Sequence, residues 1–211
     1  MRVIQAEQGS DEWLQARVGV LTASRFRDAC DTLKSGKQSQ VAVDYAYDLA
    51  AEIAGGAAAG SVFVSAPMRR GTELEPFARA AYEGKTGYMV DESGLILSDC
   101  GRYGFSPDGL IDDDGLLEVK CPANSRKKVE MWATGNVSEY MHQMQGGMWI
   151  TGRAWCDFVM FDPSLSAVSK HLYIKRIPRD DEFIADMQAK LALFLSVVDQ
   201  HVAFLREATT V

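Results

Sequence analysis

Histidine is scarce in this chain, limited to His142, His171 and His201 scattered along it. So spread, they make neither a zinc set nor a catalytic dyad with an evident partner, and each reads as structural or surface. The four cysteines (Cys30, Cys100, Cys121 and Cys156) contain no Cys-x-x-Cys pair, so reduced thiols in the cytosol are expected. No secretory signal is legible in residues 1–7, and no apolar run is long enough to span a bilayer. A cytoplasmic protein is the expectation. Positive charge is also short. Against 29 Asp and Glu there are 22 Lys and Arg, a net charge of −7, which argues against a surface coated in positive potential for nucleic acid. A local groove or channel could still be basic. Arg69-Arg70, Arg126-Lys127-Lys128 and the pair Lys34 and Lys37 are the clusters from which to build one.

Repeats, low-complexity tracts and long linkers are missing as well. What is present suits one domain: 211 residues, 47% hydrophobic and 24% charged. The first part, about 10–87, reads as helical, with segments at 10–17, 22–29, 40–53 and about 67–85. Ser10 and Thr22 are candidate caps, and Gly55-Gly56 is a stop signal. From about 88 to 175 the apolar period changes from 3.6 to 2. Strands are predicted at 88–90, 95–98, 103–105, 109–111, 116–120, 155–161 and 171–175, with helices at 125–133 and 139–150. A long amphipathic helix, 180–206, closes the chain, its start favoured by Asp180, Asp181 and Glu182. The expected fold is a single α/β domain, a mixed sheet flanked by helices.

Residues 106–122 carry the most chemistry. Two short apolar runs flank an acidic, Gly-terminated turn, Asp112-Asp113-Asp114-Gly115, which predicts a β-hairpin. Side chains alternate along a strand, so Ser106 shares a face with Asp108, and Glu118 with Lys120. An odd loop puts Asp108 opposite Glu118 and Ser106 opposite Lys120, with Leu117 and Val119 turned to the core. An even loop puts Asp108 and Glu118 on opposite faces and abolishes the site. Acidic residues are disfavoured in apolar strands and costly to bury without a partner. Asp112, Asp113 and Asp114 read as a solvated turn, whereas Asp108, Glu118 and Lys120 fit the PD-(D/E)xK nuclease pattern, in which a divalent cation and a lysine serve phosphodiester cleavage.

Two further clusters are candidates. Tyr140, Gln143 and Gly147 fall on one face of the 139–150 helix, an arrangement that suits a ligand or backbone as well as an exposed polar face. Trp13, Arg17, Thr22 and Ser24 gather around Gly19 and a helix start, which together make a natural phosphate pocket. Capping explains Thr22 or Ser24 equally well but leaves Arg17 unaccounted for.

Taken together, the motifs resemble the lambda exonuclease family, the YqaJ-like, phage-type recombination exonucleases of the PD-(D/E)xK superfamily. They run in order through residues 7–13 and 17–24, then Gly71-Thr72-Glu73-Leu74-Glu75-Pro76-Phe77-Ala78-Arg79, then 106–110 and 117–122, and finally 140–145 and 148–151. The resemblance covers about residues 5–175. It implies a restriction-endonuclease-like core and an alkaline 5′→3′ double-strand exonuclease that leaves 3′ single strands. Asp108, Glu118 and the Val119 carbonyl would hold Mg²⁺, with Mn²⁺ as an alternative. Lys120 would orient or activate the attacking water, helped by Gln143 and the acidic Glu75. Arg17, Ser24 and Ser106 would hold a 5′-phosphate, and Trp13 and Tyr140 would contact DNA. The resemblance further implies a ring-shaped homotrimer on double-stranded DNA ends, a single-strand annealing protein as partner, no membrane, and a phage- or prophage-encoded origin in a bacterial host. A ring also accommodates the net charge, with a basic channel and an acidic outer wall. Bound cations would lower the proton affinity of Lys120. A nicking or structure-specific endonuclease on the same scaffold stays open, as does a non-catalytic DNA-binding recombination subunit.

Overall fold

The computed structural model describes residues 1–58 and 66–207. Its helices are α1 (Asp11–Arg17), α2 (Phe26–Ala29), α3 (Gln40–Gly55), α4 (Ala66–Thr86), α5 (Ser125–Thr134), α6 (Met141–Thr151) and α7 (Asp181–Arg206). Its strands are β1 (Arg2–Ile4), β2 (Leu21–Thr22), β3 (Val90–Asp91), β4 (Leu95–Leu97), β5 (Tyr103–Phe105), β6 (Gly109–Ile111), β7 (Gly115–Lys120), β8 (Trp155–Phe161) and β9 (Leu172–Pro178). The α/β class with mixed sheets and flanking helices is the one expected. β1, β2 and the 3-10 turn Pro163–Val168 were not foreseen, because segments this short carry no readable period. No helix among the described residues is long and apolar enough to cross a membrane. All four cysteines are free.

The chain falls into two compact units. One comprises Met1–Val62, Gly94–Ser106 and Asp180–Val211. Its sheet runs β1-β4-β5-β2, antiparallel except for the parallel pair of β5 and β2. Ser10 caps α1 as expected, its side chain accepting from the Trp13 N–H at 3.2 Å. Thr22 differs from expectation. It occupies the cap position of a 3-10 turn but makes no side-chain capping bond, because its hydroxyl is engaged elsewhere. Asp180 caps α7, which buries Ile184, Met187, Leu191, Phe194, Val198 and Val202 at helical spacing. That stripe lies along α3, with the Phe194 ring 5.4 Å from that of Tyr45. The helix is therefore a packing element of this unit.

The other unit comprises Phe63–Ser93 and Pro107–Arg179. Its sheet order is β3-β6-β7-β8-β9, with β7 and β8 parallel and the other pairs antiparallel. Parallel neighbours need a long crossover, and α5 and α6 lie within it. Ala78 and Tyr82 of α4 pack on Ile111, Leu117, Val119, Val159 and Phe161, so Leu117 and Val119 point to the core as alternation required. The opposite face of β7 and β8 is met by α6 and by Tyr140, whose ring stacks on Phe158 at 5.0 Å.

The basic clusters are largely consumed by pairing. Arg126 binds Glu130, and Lys127 binds Glu139. Arg70 and Lys128 converge on Asp162, which has no exposed surface, at 3.0 and 2.6 Å. Burial pushes the Asp162 carboxyl up, but hydrogen bonds from Lys128 and Ser164 outweigh it and hold the group below the ordinary aspartate value. Its contribution to stability is complete above the ~3.9 of an unfolded aspartate and is lost as pH falls through the lower folded value. Asp162→Asn is expected to cost about 3 kcal/mol at pH 7, as removal of one partner from a buried pair does. Urea denaturation of both proteins from pH 7 down to 3 checks this. The gap should close with acid, and a gap independent of pH counts against the charge pairing.

Candidate active site

The β6–β7 hairpin closes on an odd loop. Gly109 pairs with Leu117, Leu110 with Leu116 and Ile111 with Gly115, leaving Asp112, Asp113 and Asp114 as the turn. One residue further along this register, Asp108 stands across from Glu118. Its Oδ2 accepts the Val119 N–H at 2.7 Å, and its carbonyl accepts from Arg79 Nη1 at 3.4 Å. Glu118 is wholly buried. One of its oxygens accepts from Lys120 Nζ, while Oε2 is buried with no partner among the described residues. Lys120 Nζ also lies 5.5 Å from the centre of the Tyr140 ring, within reach of a cation–π contact. A cavity of about 370 Å³ opens beside Lys120 and Tyr140, floored by Phe158 and Met160.

Electrostatics follow from this crowding. Burial, with Asp108 adding to it against the pull of Lys120, raises Glu118 to about 7. Burial and then Asp108 raise Glu75 on α4, also to about 7, against Arg79. Burial raises Asp108 despite Lys120, the Val119 N–H and Arg79. Glu75 and Glu118 thus hold protons to near neutrality. The lowered proton affinity expected for Lys120 concerns a cation-bound site; with the carboxylates alone beside it, its proton affinity rises. Burial works against its charge, but Glu118 and Asp108 outweigh burial.

Glu75, Asp108, Glu118, Lys120 and Tyr140 are therefore brought together. Gln143 sits half-buried on α6. The shared face expected for Tyr140, Gln143 and Gly147 does not form as one helix. Tyr140 lies in the 3-10 turn Ser138–Tyr140 before α6, and Gly147 is buried. Arg79, one turn beyond Glu75, is a site neighbour that sequence reasoning missed. It bridges Glu75 at 3.9 Å and Glu92 at 2.6 Å. Its helical spacing from Glu75 was the available signal.

The second cluster lies in the other unit and is equally connected. The Arg17 guanidinium sits 4.2 Å over the Trp13 ring and donates to Thr22 Oγ1 at 3.3 Å. Thr22 Oγ1 and Ser24 Oγ share a hydrogen bond of 3.3 Å. Trp13 Nε1 donates to Ser106 Oγ at 3.0 Å. Burial holds the Arg17 proton affinity below its ordinary value, against Tyr45 and Glu52. Gly19 makes the turn behind these residues. It has φ +70°, and a Cβ there would lie 2.9 Å from Ile53 Cγ1. Trp13, Arg17, Thr22 and Ser24 form one set, as expected, joined to Ser106 through the Trp13 indole.

Paired carboxylates, a half-buried Asp108 and a wholly buried Glu118, beside a lysine define a PD-(D/E)xK-type site on an α/β nuclease fold. Residues 12–154 match the model of the YqaJ-like viral recombinase domain, so the chain belongs to that family. An alkaline exonuclease, LHK-Exo, from Laribacter hongkongensis is similar at 39% identity and a TM-score of 0.83, over 93% of this chain and 96% of that one. Its complex with dAMP gives 39% identity, a TM-score of 0.84 and the same coverage. A phage-related exonuclease from Haemophilus somnus 129PT has the same fold at 17% identity and a TM-score of 0.70, over 88% of this chain and 96% of that one. No curated protein matches this chain. The resemblance to lambda-type exonucleases read from the ordered motifs holds.

Proposed function

We propose that this deoxyribonuclease is a Mg²⁺-dependent exonuclease of annealing-type recombination. It degrades the 5′-phosphorylated strand of duplex DNA 5′→3′ to mononucleotides and leaves 3′ single-stranded DNA. The observation that carries the reading is the hairpin that sets Asp108 across from a buried Glu118 with an unpartnered Oε2, beside Lys120. An orphaned carboxylate oxygen is costly unless a ligand satisfies it. Oxygen donors suit Mg²⁺ or Mn²⁺ rather than zinc. No group of three His, Cys, Asp or Glu side chains that could hold a metal occurs among the described residues. Asp108 and Glu118, with its unpartnered Oε2, would hold the cation with the Val119 carbonyl. When bound, it would supply positive charge against the phosphoryl oxygens.

The chain's own residues do the rest. Lys120 orients the attacking water and takes up or releases its proton, with Gln143 and Glu75 supporting it. Arg17, Ser24 and Ser106 receive the 5′-phosphate through charge-assisted hydrogen bonds, and Trp13 holds Arg17 in place. Tyr140 is assigned to the DNA path beside Lys120. The dAMP complex of the similar alkaline exonuclease supports a mononucleotide product. Family membership supports a ring-shaped homotrimer on DNA ends, a single-strand annealing protein as partner, and a cytoplasmic, phage- or prophage-encoded setting.

Linear duplex with 5′-phosphate or 5′-hydroxyl ends, and covalently closed circles, test this with Mg²⁺ and with EDTA. Mononucleotide release from phosphorylated ends, dependent on Mg²⁺ and sparing circles, is expected. Cutting of circles would point to an endonuclease, and no metal-dependent cutting by folded protein to a binding subunit.

A further inference from the structure

We propose that Arg153 is a positioning residue that selects the hairpin register on which the Asp108–Glu118 site depends, an inference that rests on the nuclease reading. The turn carries two registers in its sequence. Asp114-Gly115 is a strong two-residue turn signal. Used as such, it would pair Asp113 with Leu116, Glu118 with Ile111 and Asp108 with Cys121. Side chains alternate with a period of two, so this slip would put Asp108 on the face of Val119 rather than that of Glu118. The two carboxylates would part.

The protein adopts the other register, and the loop does not favour it by its own chemistry. Asp112 takes φ 44°, a left-handed conformation that strains a residue with a Cβ. Arg153 holds it there. Its Nη1 donates to the carbonyls of Ile111 at 3.2 Å, Asp112 at 2.8 Å and Gly115 at 2.6 Å. These carbonyls lie on both sides of the loop, and the two-residue turn would pull Gly115 out of its pairing with Ile111. The next residues add to the clamp, with the N–H groups of Ala154 and Trp155 donating to the Asp114 carbonyl at 2.8 and 3.3 Å. Trp155 also covers Gly115, where a Cβ would lie 2.2 Å from the indole Cη2. Arg153 touches none of Asp108, Glu118 and Lys120, so it acts on the site only through the strands.

Arg153→Ala tests this with readouts that a general packing role would not move. In the metal-free protein, cross-strand NOEs between Leu110 and Leu116 should weaken and contacts between Asp113 and Leu116 appear. Mn²⁺ affinity by calorimetry should fall roughly 10–100-fold, as for loss of a group that orients metal ligands. Turnover should fall with it, at unchanged KM for DNA. Adding Asp112→Gly relieves the left-handed position and should recover most of the Mn²⁺ affinity and the native NOEs. Native NOEs and Mn²⁺ affinity in Arg153→Ala would overturn the proposal, as would a loss of fold that Asp112→Gly does not repair. A wild-type protein that cuts no DNA would instead sink the nuclease reading, while the NOEs still decide the register.

Discussion

Lys120→Ala should abolish most DNA cleavage while leaving metal binding intact or tighter. Lys120 Nζ is bound to Glu118, and its charge opposes the burial that raises that carboxyl to about 7. It therefore competes with any cation for Glu118, and removing it frees an oxygen. The expected cleavage loss is about 10²–10⁴-fold, the range for a positioned proton-transfer group. It should appear in kcat, with KM for DNA little changed, because Lys120 is assigned to the water and not to DNA affinity. Single-turnover rates at saturating Mg²⁺, with Mn²⁺ calorimetry on the same variant, separate the two roles. A variant that loses Mn²⁺ binding would make Lys120 part of the metal site's architecture, and one that cleaves normally would remove it from the chemistry.

Arg17→Ala should erase the preference for phosphorylated ends. Arg17 is half-buried, stacked on Trp13 and hydrogen-bonded to Thr22, so its fork is pre-organised and pays little entropy on meeting a phosphate. Truncating one partner of a buried, charged hydrogen bond costs at least about 2 kcal/mol, a factor of roughly thirty in affinity. Competition between 5′-phosphorylated and 5′-hydroxyl duplexes measures it, with Mn²⁺ affinity as the control that should not move. Trp13→Phe keeps a stacking face but loses the bond to Ser106, so it should retain most of the preference. If Arg17→Ala discriminates as the parent does, Arg17 has no place in the phosphate pocket.

How much of this was legible in the sequence differs from residue to residue. The juxtaposition of Asp108, Glu118 and Lys120 was, because strand alternation is a local rule and acidic residues beside apolar runs violate it conspicuously. The Ser10 cap and the stop at Gly56 were legible for the same reason, each acting within one turn of its helix. The buried stripe of α7 followed from its period. Thr22 shows the limit. Its cap position could be read locally, but its hydroxyl went to Arg17 and Ser24, a choice made by neighbours.

By itself the sequence determined the classes of element, the candidate ligands and the order of motifs that marks the family. Tertiary structure alone decided three things. It chose the odd loop over the Asp114-Gly115 turn, through an arginine some 40 residues away along the chain in its bond to Asp112. It drew Arg70 and Lys128 onto buried Asp162 and so removed them from the supposed basic surface. It also surrounded Lys120 with Glu118 and Asp108, which raise its proton affinity against burial. Alternation, capping and period depend on neighbours a few residues apart. Register, ion pairing and proton affinity depend on groups that meet only when distant segments pack, and no local pattern encodes those distances.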